Sequence, residues 1–298
     1  MSDVLALCVA GHRCRVHCAD PAFRVQIAAR YAPFRDPAPA AAPDLTLEVT
    51  VRPALIAVGW EPHFITHPGA APLPAPADYE PARDGPLAGY AVWPVAGGLR
   101  LAAEQTLRAE LDLAGRHGWI VLAPALSLFH TALRQFLAYL LPLTTGCLLH
   151  ASGVLLDGRA AGFFGVSGSG KSTIARLAPG PVLTDETLGL TQAGPRWTAH
   201  STPFNGDYDP PPAPVAAAPL AGLFHLARGT RDQAVRLPWH AAVQALSGSL
   251  LYQVDDPAYQ AALLAQVCRL AQDVPCYRLE FRPTPAVWAS VAAALAPP

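Results

Sequence analysis

CLLHASGVLLDGRAAGFFGVSGSGKST, residues 147–173, decides the fold. Two apolar runs, Cys147–Leu156 and Ala160–Gly165, flank Asp157-Gly158-Arg159. An Asp-Gly pair between apolar runs signals a β-hairpin, because both residues accept the positive φ that a tight turn of the right twist demands. The second run enters Gly165-Val166-Ser167-Gly168-Ser169-Gly170-Lys171-Ser172-Thr173 directly, and residues 165–172 fit G-x-x-x-x-G-K-[ST] at every position. Small residues let backbone N–H groups converge on phosphate oxygens without side-chain clashes. A short helix is expected from Lys171 to about Ala178, with Pro179-Gly180 ending it, and its positive end points at the same charge. The expected ligands are ATP and Mg²⁺. The loop Gly165–Thr173 cradles the phosphates, Lys171 neutralises the β- and γ-phosphates, and the Ser172 hydroxyl ligates the metal.

Lys171 is the only lysine among 21 basic residues. The chain is rich in alanine, arginine and its 32 prolines, as in proteins from GC-rich genes, where arginine replaces lysine wherever it will serve. A surviving lone lysine marks a place that needs a compact ammonium rather than a planar guanidinium. The formal net charge of −1 supplies no global field for nucleic acid or anionic lipid, so neither is an expected partner. Homo-oligomerisation is left open. Six cysteines without a CxxC spacing read as reduced thiols of a cytoplasmic protein. The N-terminus makes a poor secretory signal, and His130, Arg134, Gln135 and Pro142 interrupt the longest apolar stretch, Leu126–Leu149.

Outward from the loop, residues 1–122 read as short strands, with Leu45–Val51 alternating in the manner of a half-buried one. Pro37–Pro43 and Pro68–Pro86 read as surface loops. Between Pro124 and Leu141, Leu126, Phe129, Leu133, Phe136, Leu137 and Leu140 recur at helical spacing, and Pro142 stops the run. The boundary is drawn just before this helix, giving a β-rich N-terminal domain, 1–122, and an ATP-binding catalytic domain, 123–298. Beyond the loop, Pro181–Glu186 reads as a brief strand, Leu220–Ala227 and Tyr277–Phe281 as core strands, and 239–250, 257–272 and about 284–295 as helices.

The brief strand ends in Asp185-Glu186, close behind the loop. An early acid suits phosphotransferases, where it accepts the proton of an attacking hydroxyl or supports the metal. Neighbouring strand residues face opposite ways, so one acid is expected to face the γ-phosphate directly unless the strand has already ended, and Asp185 is favoured, as the base or as a support of Mg²⁺ through water. Ser172, Asp185 and Glu186 form the expected metal set.

LLHASGVLLDGRAAGFFGVSGSGKSTIARL followed by VLTDETLGL resembles the catalytic domain of HPr kinase/phosphorylase and its shorter bacterial relatives. Looser matches are His200–Asp207, Leu220–Gly229 and Val274–Pro283. The resemblance implies a phosphoenolpyruvate-carboxykinase-like α/β domain with a mixed sheet. It also implies a kinase acting on a serine or threonine of a protein or precursor peptide, in some relatives within ribosomal-peptide maturation clusters. The glycine loop carries over onto Gly165–Thr173 and the acid pair onto Asp185 and Glu186, the second acid being aspartate in the family. The family's histidine is Ser152 here, and His150, two residues earlier on the same strand face, is the candidate substitute. The glutamate signature that accompanies reverse phosphorolysis is not found, which leaves that activity open.

Other candidates are less specific. Asp207 could add a carboxylate to the metal site, but Asp207 and Asp209 are flanked by glycine and prolines and read more readily as a surface turn. Arg228 could clamp a phosphate or form a surface ion pair. Cys8, His12, Cys14, His17 and Cys18 fit no standard zinc spacing. Two rivals remain: a small-molecule kinase of the shikimate type, expected to surround its loop with parallel strands, and an ATP-dependent binding module without transfer.

Overall fold

The computed structural model describes residues 3–52, 91–103, 106–144, 146–206, 217–251 and 254–296. The loop Pro68–Pro86, Asp207 and Asp209 lie outside them. The chain is α/β, with two mixed sheets and six α-helices among the described residues. It divides into two compact units: the described residues of 1–8, 12–140 and 253–256, and those of 9–11, 141–252 and 257–298.

The first unit opens with β1 (Val4–Val9), β2 (His12–Cys18) and α1 (Pro21–Arg30). The sequence reading missed α1, although its start is marked: Asp20 caps it, accepting the Phe23 amide at 2.7 Å, and Pro21 takes the first helical position. Next come β3 (Leu45–Val51), β4 (Ala91–Val95), β5 (Gly98–Ala103), β6 (Leu107–Asp112) and β7 (His117–Leu122). They form a seven-stranded sheet in the order β1-β2-β3-β7-β6-β5-β4, parallel at β2-β3-β7 and antiparallel from β7 to β4. The alternation read in β3 holds: Leu45, Leu47 and Val49 are its buried positions. Helix α2 (Leu126–Leu140) packs on β5, β6 and β7, with Phe129, Leu133 and Phe136 among its fully buried residues. A Cβ on Gly118 would come within 2.7 Å of both Leu47 and Phe136, so the glycine admits the helix to the sheet. The expected boundary ran ahead of α2, whereas by contacts the helix groups with the first unit. Pairing a strongly apolar helix with the nearest open sheet face overrides its closeness in sequence to the glycine loop.

The second unit starts with the hairpin read from sequence, β8 (Gly146–Leu156) and β9 (Arg159–Phe164), turning through Asp157 (φ 49°) and Gly158 (φ 75°). Then come α3 (Lys171–Arg176), β10 (Val182–Thr184), β11 (Thr187–Ala193), β12 (Arg196–His200), β13 (Ala217–Arg228), β14 (Gln233–Arg236), α4 (Trp239–Ser247), α5 (Pro257–Asp273), β15 (Cys276–Phe281) and α6 (Val287–Leu295). The eight strands run β10-β8-β11-β12-β13-β15-β14, and β9 pairs with both β8 and β13. Strands β9, β13 and β15 are mutually parallel neighbours, and β8 is antiparallel to β9. On one face of the parallel trio, Phe163, Phe224 and Tyr277 stack in a ladder at 5.2 and 5.1 Å between ring centroids. Ile174 of α3 and Val287 and Val291 of α6 close over this ladder. Trp288 meets Phe163 edge-on at 5.5 Å, and its indole N–H donates to the Leu177 carbonyl at the end of α3. The helix behind the glycine loop is therefore fixed at its far end by α6, which supplies a donor to a carbonyl that the helix itself leaves unsatisfied.

Among the described residues no helix is long and apolar enough to cross a membrane.

Candidate active site

The parallel strands β9, β13 and β15 end on the same side, and the glycine loop sits at that side. A strand must turn sharply to enter a helix there, and the glycines allow it. Gly168 has φ 73° and Gly170 φ 106°, and a Cβ on Gly170 would stand 2.6 Å from the Phe281 ring at the end of β15. Position 170 thus needs glycine both for its backbone and for its neighbour. Helix α3 spans six residues, shorter than expected, and no side chain caps its N-terminus. The first-turn amides have no intrahelical acceptor, which is the arrangement that favours an anion.

Lys171 turns back into the loop. Its ammonium donates to the Gly165 carbonyl at 2.9 Å and to the Val166 carbonyl at 3.2 Å, and the residue is buried. Burial lowers its pKa from the ordinary 10.5, and the Glu186 carboxylate works against that shift. Beside it, the Ser169 hydroxyl is buried and has no hydrogen-bond partner among the described residues. A Cβ on Gly165 would stand 3.0 Å from that oxygen.

At the acid pair the strand has already ended, the case in which alternation does not limit the two acids. Strand β10 stops at Thr184, so Asp185 and Glu186 do not alternate across a sheet. The Thr184 hydroxyl accepts the amides of Glu186 at 3.3 Å and Thr187 at 3.1 Å, folding the two acids out as a bulge before β11 begins. Both carboxylates then lean toward one point: a Cβ on Gly206 would lie 3.0 Å from Asp185 Oδ2 and 3.1 Å from Glu186 Oε2. The Gly206 amide donates to Asp185 Oδ1 at 2.8 Å, orienting a carboxylate whose residue is only 2% exposed. Gly206 is held in turn because Thr202 donates to the Thr187 carbonyl at 2.6 Å, anchoring the loop after β12 against the start of β11.

His150 joins the same place. The Ala151 amide donates to the Glu186 carbonyl at 2.9 Å, and the His150 amide to the Ser249 carbonyl at 2.7 Å. His150, Ser167, Gly168, Gly170, Lys171, Ser172, Thr173, Asp185, Glu186 and Gly206 line one cavity of about 390 Å³. Ser152 is fully buried in β8, and its hydroxyl has no hydrogen-bond partner among the described residues. Thus His150, rather than Ser152, reaches the cavity. Arg228, at the end of β13, donates to the Gly168 carbonyl at 3.3 Å, so the structure brings it to the loop, and among the described residues it forms no ion pair with an acid.

Sequence reasoning missed Gly206, the seat of Phe281 against Gly170, and the Trp288 clamp. The segment His200–Asp207 carried a hint of Gly206, but nothing in it showed that its amide would meet Asp185. Cys14 and Cys18 are buried free thiols, raised in pKa by burial. No group of three or more His, Cys, Asp or Glu side chains is arranged for a metal among the described residues. A second cavity of about 690 Å³ lies at the turn end of the β8–β9 hairpin, between Leu155, Arg159, Pro181, Trp288 and Leu295. It is larger than the loop cavity, but its ionisable lining is limited to Asp157 and Arg159 of the turn, whereas Lys171, His150, Asp185 and Glu186 line the loop cavity.

The profile of the family described as SynChlorMet cassette protein ScmC matches residues 130–296, more than half of the chain and the whole of the site above. No curated protein matches the chain.

Proposed function

We propose that this chain, which belongs to the SynChlorMet cassette protein ScmC family, is an ATP- and Mg²⁺-dependent kinase that phosphorylates a serine or threonine hydroxyl of a precursor peptide. The observation that carries the reading is the convergence of Lys171, Ser172, Asp185, Glu186 and the loop amides on one cavity. A cassette protein fits the expectation of a peptide-maturation cluster. The sheet around the loop, with β8 antiparallel to β9, supports the phosphoenolpyruvate-carboxykinase-like reading over a small-molecule kinase built on parallel strands.

The residues suit the ligands. A partnerless buried hydroxyl on Ser169, an ammonium that satisfies itself on loop carbonyls, and uncapped amides of α3 are groups that a polyphosphate would engage. Ser172, Asp185 and Glu186 would hold Mg²⁺, which when bound adds positive charge beside the β- and γ-phosphates. In the transfer, the acceptor hydroxyl oxygen bonds to the γ-phosphorus, its proton passes to Asp185, and the bond from the γ-phosphorus to the bridging oxygen breaks, leaving ADP with the electron pair. The Gly206 amide keeps the Asp185 carboxylate aimed during this step. Lys171 and the loop amides bear the charge that develops on the phosphoryl oxygens. His150 orients the acceptor at the cavity wall, and Arg228 steadies the loop at Gly168.

Incubation with γ-labelled ATP and serine-bearing peptides tests the reading. Label in a peptide, abolished by Lys171→Ala, is the expected result. Nucleotide binding with no label on any acceptor would favour the binding module instead.

A further inference from the structure

Strand β14 ends the second sheet: among the described residues no strand pairs with its outer edge. Its pairing to β15 identifies which groups face outward. The Leu237 amide donates to the Cys276 carbonyl at 2.8 Å, continuing the register Gln233↔Glu280, Val235↔Arg278. In an antiparallel ladder hydrogen-bonded and non-bonded pairs alternate. Val235 and Gln233 therefore spend their backbone groups on β15, while Ala234 and Arg236 present N–H and C=O to the open side. Such an edge is a template for another extended chain.

The side chains around this edge are mostly basic. Arg236 on β14, Arg278 on β15, and Arg231 and Arg282 beside them stand against two carboxylates. Asp232 is taken up by Arg282 at 2.6 Å, and Glu280 is shared by Arg278 at 3.2 Å and Arg231 at 3.6 Å. Arg236 lies over the Tyr277 ring at 5.4 Å and pairs with no acid among the described residues. Two large apolar side chains stand in the same stretch half-exposed, Val235 at 51% and Trp239 at 52%. Arg236, Leu237 and Trp239 also border a cavity of about 410 Å³ with Ala271 and Gln272. A chain with net charge −1 has thus placed a local excess of guanidinium groups and two apolar footholds, Val235 on the open strand and Trp239 at the start of α4 just after it.

We propose that the outer edge of β14 docks an extended acidic segment of the acceptor peptide as an added strand, with its carboxylates on Arg231, Arg236 and Arg278 and an apolar residue on Val235 and Trp239. The identity of the docked chain as acceptor rests on the kinase reading above; the docking itself does not. The Gln233 end of β14 lies opposite Glu280, at the loop end of β15. An added strand stands four strand spacings from β9, roughly 19 Å. At about 3.3 Å per residue, roughly six extended residues separate the docked segment from the phosphorylated hydroxyl.

The test is fluorescence anisotropy on the full chain without nucleotide, using a labelled peptide of alternating Glu and Val, its Lys-for-Glu counterpart and a single-stranded oligonucleotide. The acidic peptide binds at least about 10-fold tighter than either comparator, and added salt weakens it. Two variants each weaken it about 10-fold or more: the double charge reversal Arg236→Glu with Arg278→Glu, and Ala234→Pro, which removes an outward N–H without touching the ladder to β15. Unchanged ATP affinity in both variants shows that they are folded. Equal binding of the two peptides, equal or tighter binding of the oligonucleotide, or acidic-peptide binding untouched by both variants would overturn the proposal. In a second arm, peptides carrying serine at increasing distance from the acidic segment are offered with γ-labelled ATP, and labelling peaks near six residues. Binding without label at any spacing sinks the kinase reading and leaves the docking edge standing. Label on peptides whose binding ignores both variants does the reverse.

Discussion

The two ends of the β8–β9 hairpin face two different cavities. At the turn end, about 690 Å³ is walled by Leu155, Pro181, Leu295 and the Trp288 ring. At the loop end, a smaller cavity of about 390 Å³ is walled by glycines, serines, Lys171, His150 and two carboxylates. The same pair of strands builds both. The difference lies in the connection made at each end: a two-residue turn with positive φ closes one, and a loop that must open its amides outward closes the other. On the proposed kinase reading, chemistry goes with the convergence of polar groups rather than with the amount of space.

The largest effect that would sharpen this contrast is at Lys171. Lys171→Ala removes the only ammonium at the loop, and transfer falls by about 10³-fold or more in kcat/KM, read by label incorporation. Asp185→Asn ranks second, losing about 10²- to 10⁴-fold in kcat while ATP affinity holds within a few-fold, because the proton acceptor is lost and the Gly206 hydrogen bond can persist. Gly206→Ala comes next. Its Cβ would crowd both carboxylates at about 3 Å, and kcat drops about 10-fold with the melting temperature nearly unchanged.

A pH titration of nucleotide affinity gives a subtler effect. Burial lowers the Lys171 pKa below 10.5, so the folded protein releases this proton earlier than the unfolded chain. Two consequences have opposite signs. Between the lowered pKa and 10.5 the unfolded state binds more protons, so stability from this group rises with pH across that window. ATP affinity falls as the pH rises through the same window, because the charged form is lost. An affinity that stays flat up to pH 10.5 would show that Lys171 does not meet the phosphates.

The smallest effects belong to the turn end. Trp288→Phe deletes the bond to the Leu177 carbonyl and lowers stability by about 1 kcal/mol, measured by denaturant unfolding. Ala292→Val, on the wall of the larger cavity, leaves kcat within about 2-fold. A large loss of transfer in Ala292→Val would break the contrast, since it would put the reaction at the wrong end of the hairpin.

The loop end was the more legible in sequence, for a physical reason. A strand, a glycine loop and a helix start are specified by consecutive residues, so Gly165–Thr173 could be read without a fold. The hairpin was equally local, through Asp157-Gly158. Strands β11 and β12 escaped because the acid pair looked like the end of a strand, when the Thr184 hydroxyl turns it into a bulge between two strands. The same bulge explains why both acids reach the cavity: the strand has ended before them, and alternation limits only residues within a strand. Gly206, Arg228 and Phe281 reach the loop from distant stretches of chain, and no local pattern encodes such a meeting. Helix α1 was legible and overlooked, since Asp20-Pro21 is a helix-start signature. The reach of the first unit through α2 depends on Gly118 admitting Phe136, which only packing reveals.

Calorimetric titration of the purified chain with ATP in the presence of Mg²⁺ tests the central claim most directly. One saturable site per chain, lost in Lys171→Ala and kept in Ala292→Val, is the result expected. Heat that is absent with the unaltered chain, or identical in the Lys171→Ala variant, would contradict it.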